Sequence, residues 1–148
     1  GMVGFAMSEE NLERILAHPR GMVCSDGGAY ATSGPANQGH PHPRSLGTFP
    51  RVLARYVRER GTLMLPQAIQ KMTSQPASRV RLDRGTIAAG QPADVVIFNP
   101  QTITDRATFA HPFAYPAGIK AVLVNGVVAL LDGARGDQRM GSVLRAMT

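Results

Sequence analysis

A chain of 148 residues, 43% of them hydrophobic, is the size of one ordinary domain and carries enough apolar side chains for a core. The net charge of +6 raises nucleic-acid binding as a class, but the arginines are spread along the whole chain, Trp is absent and only three Tyr are available for base stacking. No apolar run approaches a membrane span, the N-terminus lacks the layout of a signal peptide, and the single cysteine excludes an internal disulfide and fits a reducing cytoplasm.

Gly1 ahead of Met2 reads as a residue left by tag removal and is set aside. "SEENLERILAHPRG" predicts a helix with Ser8 as N-cap and Glu9 and Glu10 in the first turn, where carboxylates meet the helix dipole favourably. Leu12, Ile15 and Leu16 share one face, and Pro19 with Gly21 ends the helix. "MVCS" follows as a short apolar strand of the buried kind, with Cys24 a small buried residue beside Asp26. From Gly27 to about Leu46 comes a loop of a length that compact domains rarely carry without a functional reason.

"FPRVLARYVRERG" predicts a second helix, with Pro50 near its first turn, an apolar stripe of Val52, Leu53, Tyr56 and Val57, and Gly61 as the stop. Arg51, Arg55, Arg58 and Arg60 then form a solvated face rather than a phosphate track. "LPQAIQKMTSQPASRV" predicts a third helix begun by Pro66, with Ala68, Ile69 and Met72 inward, and a short helical turn after Pro76. From Gly85 the chain becomes glycine-punctuated and rich in Val and Ile. In "VLVNGVVAL", Asn125-Gly126 supplies the two positive-φ positions of a type I′ hairpin turn.

The chain therefore divides into residues 2–82, α/β in character, and residues 83–148, a small β-rich domain. One strand flanked by helices is not a sheet, so the first part is expected to be a slice of something larger, unable to bury Val23 or its helix stripes by itself.

The stretches "SDG", "HPHPRSLGTFPRVLARYVRERGTLMLPQAIQKMTSQPASRVRLDRGTIAAGQPADVVIFNPQTITDRATF" and "GIKAVLVNGVV" resemble the C-terminal third of the N-acyl-D-amino-acid deacylases (D-aminoacylases) of the amidohydrolase superfamily. The "HPRSLGTFPRVL" segment carries the likeness to that branch. The "GTIAAGQPADVVIFNP" segment is shared with hydantoinase and dihydroorotase relatives. The resemblance implies the end of a TIM-like (β/α) barrel followed by a segment of a small β-sandwich. It implies a zinc-dependent hydrolase that cleaves the amide of N-acyl-D-amino acids to a carboxylate and a D-amino acid.

By the same resemblance, Asp26 is the acid/base at the end of the last barrel strand, taking the proton of a metal-bound water and passing it to the leaving amine. Arg44 matches a residue suited to hold the substrate carboxylate through its guanidinium fork. His40 and His42 are expected to shape the loop or touch substrate, since Pro41 and Pro43 flank them and this is not the strand-end His-x-His of the family's metal site. The family's zinc ligands come from earlier strands, so this chain is expected to supply none, with at most a weak contact from Asp26, and not to bind zinc tightly alone.

Simpler accounts stand beside these. Asp26-Gly27 is a common turn-forming pair, Arg44 can be a surface arginine packed on prolines, and Asp83 and Asp94 read as structural, Asp94 capping backbone at a strand start. The partners implied are a small-molecule substrate, no nucleic acid and no membrane, with self-association to cover exposed barrel-side surface. The competing functions are a non-catalytic remnant or assembly module and a cyclic-amide hydrolase.

Overall fold

A computed structural model describes residues 7–146, so Gly1 and Met2 lie outside the described part. The first helix, α1 (Glu9–Ala17), starts where Ser8 Oγ accepts the Asn11 N–H at 3.1 Å. Leu12 and Leu16, four residues apart, face the core; Ile15, on the rim of that stripe, is 52% exposed. Beyond the helix the buried Lys71 ammonium donates to the carbonyls of His18 (2.6 Å) and Gly21 (2.9 Å), a cation placed at a helix C-terminus.

The expected strand at Met22–Ser25 does not form. Val23 N–H donates to Lys71 O at 3.1 Å and its side chain packs partly on the core, but among the described residues no strand lies beside this extended segment to give it a ladder. Cys24, pointing the other way along this extended backbone, is exposed rather than buried.

The second helix, α2 (Arg44–Arg51), begins five residues before the sequence predicts, so Pro50 falls inside it. The proline lacks the N–H that would bond one turn back, and the helix continues from Val52 to Glu59 in wider π register, ending with Arg60 N–H on Arg55 O at 2.9 Å. Its arginines are engaged rather than a purely solvated face. Arg51 pairs with Asp105 (3.0 Å), Arg55 with Glu9 (2.8 Å) and Arg60 with Glu13, while Arg58 donates to Ile103 O at 2.7 Å. The Arg55 bond holds the Glu9 carboxyl below its ordinary range.

Helices α3 (Leu65–Met72) and α4 (Ser74–Arg79) follow, α4 starting two residues ahead of Pro76. The strands β1 (Val95–Phe98), β2 (Ile119–Val124), β3 (Val127–Leu131) and β4 (Ala134–Arg135) form one antiparallel sheet in chain order. Asn125 and Gly126 take φ of 49° and 80°, as the hairpin turn requires, and Asp132-Gly133 repeats the device between β3 and β4.

Leu16, Val52, Leu53, Tyr56, Leu63, Ala68 and Ile103 make one core, with Phe98 and Ile119 packed against it. The helix stripes are covered in part, and by residues beyond Asp83, because the segment after β1 reaches back over them. Gly118 makes this possible: its φ is +83°, and a Cβ there would lie 2.5 Å from Ile103 Cα. No described helix is long and apolar enough to cross a membrane.

Candidate active site

Asp26 sits in left-handed backbone, φ 47°, which short polar side chains tolerate best among non-glycine residues. Gly27 is needed for a different reason: a Cβ there would stand 2.7 Å from Ser45 Cα. The turn after the acid is therefore pressed onto the first turn of α2, which carries Arg44. The result is an ion pair, Arg44 Nη2 to Asp26 Oδ2 at 2.8 Å, between side chains 45% and 83% exposed. A pair this open contributes about 0–1 kcal/mol, so both groups can exchange partners readily.

The loop between them is not structureless. Ala31 N–H bonds Ala36 O, Asn37 N–H bonds Gly34 O, and the Asn37 amide donates to Thr32 O at 2.6 Å, closing a small turn. Pre-proline residues favour extended backbone, so in His-Pro-His-Pro the two imidazoles, two residues apart, fall on one side. Both meet Phe109. His40 Nε2 donates to Phe109 O at 2.7 Å, and the His42 ring stands edge-on to the Phe109 ring, centroids 4.9 Å apart. His42 Nδ1 accepts the Arg44 N–H at 3.0 Å, so this imidazole is neutral with its proton on Nε2. Burial and then the Arg44 charge push its pKa below the ordinary range.

Four sequence-selected residues, Asp26, Arg44, His42 and His40, thus belong to one loop-and-helix unit, and Cys24 makes no contribution to it. The sequence reading assigns nothing to residues 105–115, yet they hold the loop's outer side. Thr32 N–H donates to Tyr115 Oη at 3.3 Å, Tyr30 lies edge-on to Phe113, and Gly47 approaches Asp105 Cβ so closely that a Cβ would sit 3.3 Å away. The available signal is "TFAHPFAYP", aromatic and proline-rich without helical or strand period. A groove of about 970 Å³, lined by Arg20, Gln70, Ser78 and Arg81 among others, includes neither Asp26 nor Arg44.

Asp94 is structural. Its carboxylate accepts the Asn125 N–H at 2.8 Å and pairs with Arg84, whose guanidinium also donates to Asn125 Oδ1 at 2.8 Å. Among the described residues no three His, Cys, Asp or Glu side chains converge as a metal would require. His40 bonds the Phe109 carbonyl, and His42 Nδ1 accepts the Arg44 N–H.

A family model described as the amidohydrolase family matches residues 34–130. An N-acyl-D-glutamate deacylase of Alcaligenes xylosoxydans xylosoxydans is 47% identical over 146 residues, covering 98% of this chain and 28% of that protein. A D-aminoacylase of the same organism is 43% identical over 145 residues, covering 97% and 28% respectively. The crystal structure of N-acyl-D-glutamate deacylase from Bordetella bronchiseptica, complexed with zinc and a phosphonate inhibitor, is similar with a TM-score of 0.80 and 44% identity over 96% of this chain and 28% of that one. The chain spans 28% of the length of the relatives it matches.

Proposed function

Because this chain belongs to the amidohydrolase family, we propose that it is the C-terminal part of a zinc-dependent hydrolase that cleaves the amide of N-acyl-D-amino acids, releasing a carboxylate and a free D-amino acid. The observation that carries the reading is the Asp26–Arg44 contact at 2.8 Å. A carboxylate able to carry a proton stands beside a guanidinium able to hold a carboxylate, both open to solvent. Asp26 takes a proton from the attacking water and delivers it to the amide nitrogen as the C–N bond breaks. Arg44 leaves Asp26 for the substrate carboxylate, which orients the amide toward the acid. Zinc belongs in this reading to the longer protein, on ligands outside this chain, and the chain alone does not turn over substrate.

In the same reading, residues 2–82 are the end of the hydrolase barrel and residues 83–148 a small β-rich domain contributing to a β-sandwich, in a cytoplasmic enzyme. The division is supported by the order of elements: among the described residues every helix lies before Asp83 and every sheet strand after it. The relatives matched along nearly the whole chain are linear-amide deacylases, which favours these substrates over cyclic amides.

The test is steady-state hydrolysis of N-acetyl-D-glutamate by the longer zinc-loaded protein that carries this chain. Asp26→Asn is expected to lower kcat by roughly 10²–10⁴-fold, and Arg44→Ala to act mainly on KM. Undiminished kcat in Asp26→Asn would overturn the assignment, as would turnover by the 148-residue chain with zinc alone.

A second reading, a non-catalytic module that associates with itself, is favoured by one observation. Ile97, Ala121 and Leu131 are register partners across three strands, and Ile97 and Leu131 are each 49% exposed.

A further inference from the structure

We infer, building on the reading of Arg44 as substrate anchor, that Phe109 is a positioning residue for Arg44, acting through the imidazole of His42. Residues 27–43 contain neither helix nor strand, so the imidazole of His42, which bonds the start of α2, is not held by a ladder or helix of its own and takes its orientation from what it packs against. Phe109 is the point at which both loop histidines are tied down, His40 through the Phe109 carbonyl and His42 through the aromatic ring. An edge-on ring contact restricts rotation about the imidazole's χ2, and that torsion decides where Nδ1 lies. Nδ1 is the acceptor of the Arg44 N–H at 3.0 Å. Arg44 is the first residue of α2, where a backbone N–H has no partner inside the helix and takes its direction from whatever accepts it. The orientation of the Phe109 ring is thus transmitted through His42 to the backbone from which the guanidinium reaches toward Asp26.

The segment bearing Phe109 is itself held at both ends. Asp105 pairs with Arg51 at 3.0 Å. Tyr115 Oη accepts from Arg135 Nη1 at 2.8 Å and from Thr32 N–H, and the Arg135 guanidinium lies 5.7 Å from the Tyr115 ring centre. Arg135 belongs to β4, so the last strand of the sheet helps set the geometry of the loop. The histidine-proline repeat is on this account a two-post clamp on Phe109, and its spacing serves Arg44.

Two readouts separate this role from mere loop packing. In the 148-residue chain, the His42 titration followed by NMR should move up toward the ordinary imidazole range in Phe109→Ala and stay at the wild-type position in Phe109→Tyr, which keeps the ring. In the longer zinc-loaded protein with N-acetyl-D-glutamate, Phe109→Ala should raise KM roughly tenfold with kcat little changed, and Phe109→Tyr should restore it. Should Phe109→Ala not fold, Phe109→Leu keeps the apolar bulk without the ring, and the same two shifts are expected. An unchanged His42 titration in a folded Phe109→Ala or Phe109→Leu chain overturns the inference. If the titration moves while Arg44→Ala leaves KM untouched, the reading of Arg44 as anchor has failed, and Phe109 is a loop anchor only.

Discussion

At Asp26 the backbone takes a left-handed φ of 47°, and the next residue must be glycine because Ser45 Cα occupies the space a side chain would need. The turn-forming Asp-Gly pair is what carries the carboxylate to Arg44, so the turn and the proposed acid role are compatible. His42 shows residue-scale chemistry that the His-x-His spacing hides. Its Nδ1 must stay unprotonated to accept the Arg44 N–H, and its pKa in the folded chain lies below that of the unfolded chain, near 6.5. The unfolded state then binds the proton first, so the stabilisation is present in full above about pH 6.5 and is lost as pH falls through the folded value. Thermal melting at pH 8 and pH 5 should show a larger acid-induced loss in the wild type than in His42→Asn, whose Oδ1 offers a non-titrating acceptor. Equal losses in the two proteins would remove His42 as the source.

Among the elements, the β2–β3 hairpin has the most completely determined turn. Asn125 occupies φ 49°, receives a bond from Arg84 and donates its amide to Met140 O at 2.6 Å, while its N–H is taken by Asp94. That last bond, with Arg84 adding its charge, holds the Asp94 carboxyl below its usual range. Asn125→Gly removes the side-chain bonds but suits the turn and should cost about 1 kcal/mol; Asn125→Ala adds the left-handed penalty and should cost about 2–3 kcal/mol. Urea denaturation of both variants checks this, and equal costs would show that backbone conformation is not what selects Asn here. In α2 and its π-register continuation the opposite principle rules, because burial of Val52, Leu53, Ala54 and Tyr56 beyond Pro50 outweighs the interruption there.

For the whole molecule, one core joins the helices to the sheet through Ile103, Phe98 and Ile119, yet apolar side chains remain open on the sheet (Ile97, Leu131) and beside α1 (Ile15, Met22). Uncovered apolar area of this kind drives association. Static light scattering of the 148-residue chain should show mass rising with concentration, and Ile97→Lys with Leu131→Lys should suppress the rise. A clean monomer at all concentrations would count against association through the sheet face.

Short-range features were legible from residues alone, because caps, turns and prolines act within a few positions of themselves: Ser8 as N-cap and Asn125-Gly126 as hairpin turn. Asp26 and Arg44 could be singled out in the same way, by resemblance of the segments that hold them. What the sequence could not decide were outcomes of contacts between distant residues. Met22–Ser25 has strand character but no neighbour to pair with, and the start of α2 moves forward to Arg44 with Pro50 enclosed. The Arg51–Arg60 face is claimed by Glu9, Glu13, Asp105 and the Ile103 carbonyl. The clamp on Phe109 was invisible for the same reason, since His40 and His42 meet it across some seventy residues of chain. Pattern reports which side chains a segment offers, and only the folded chain supplies the surface they are offered to.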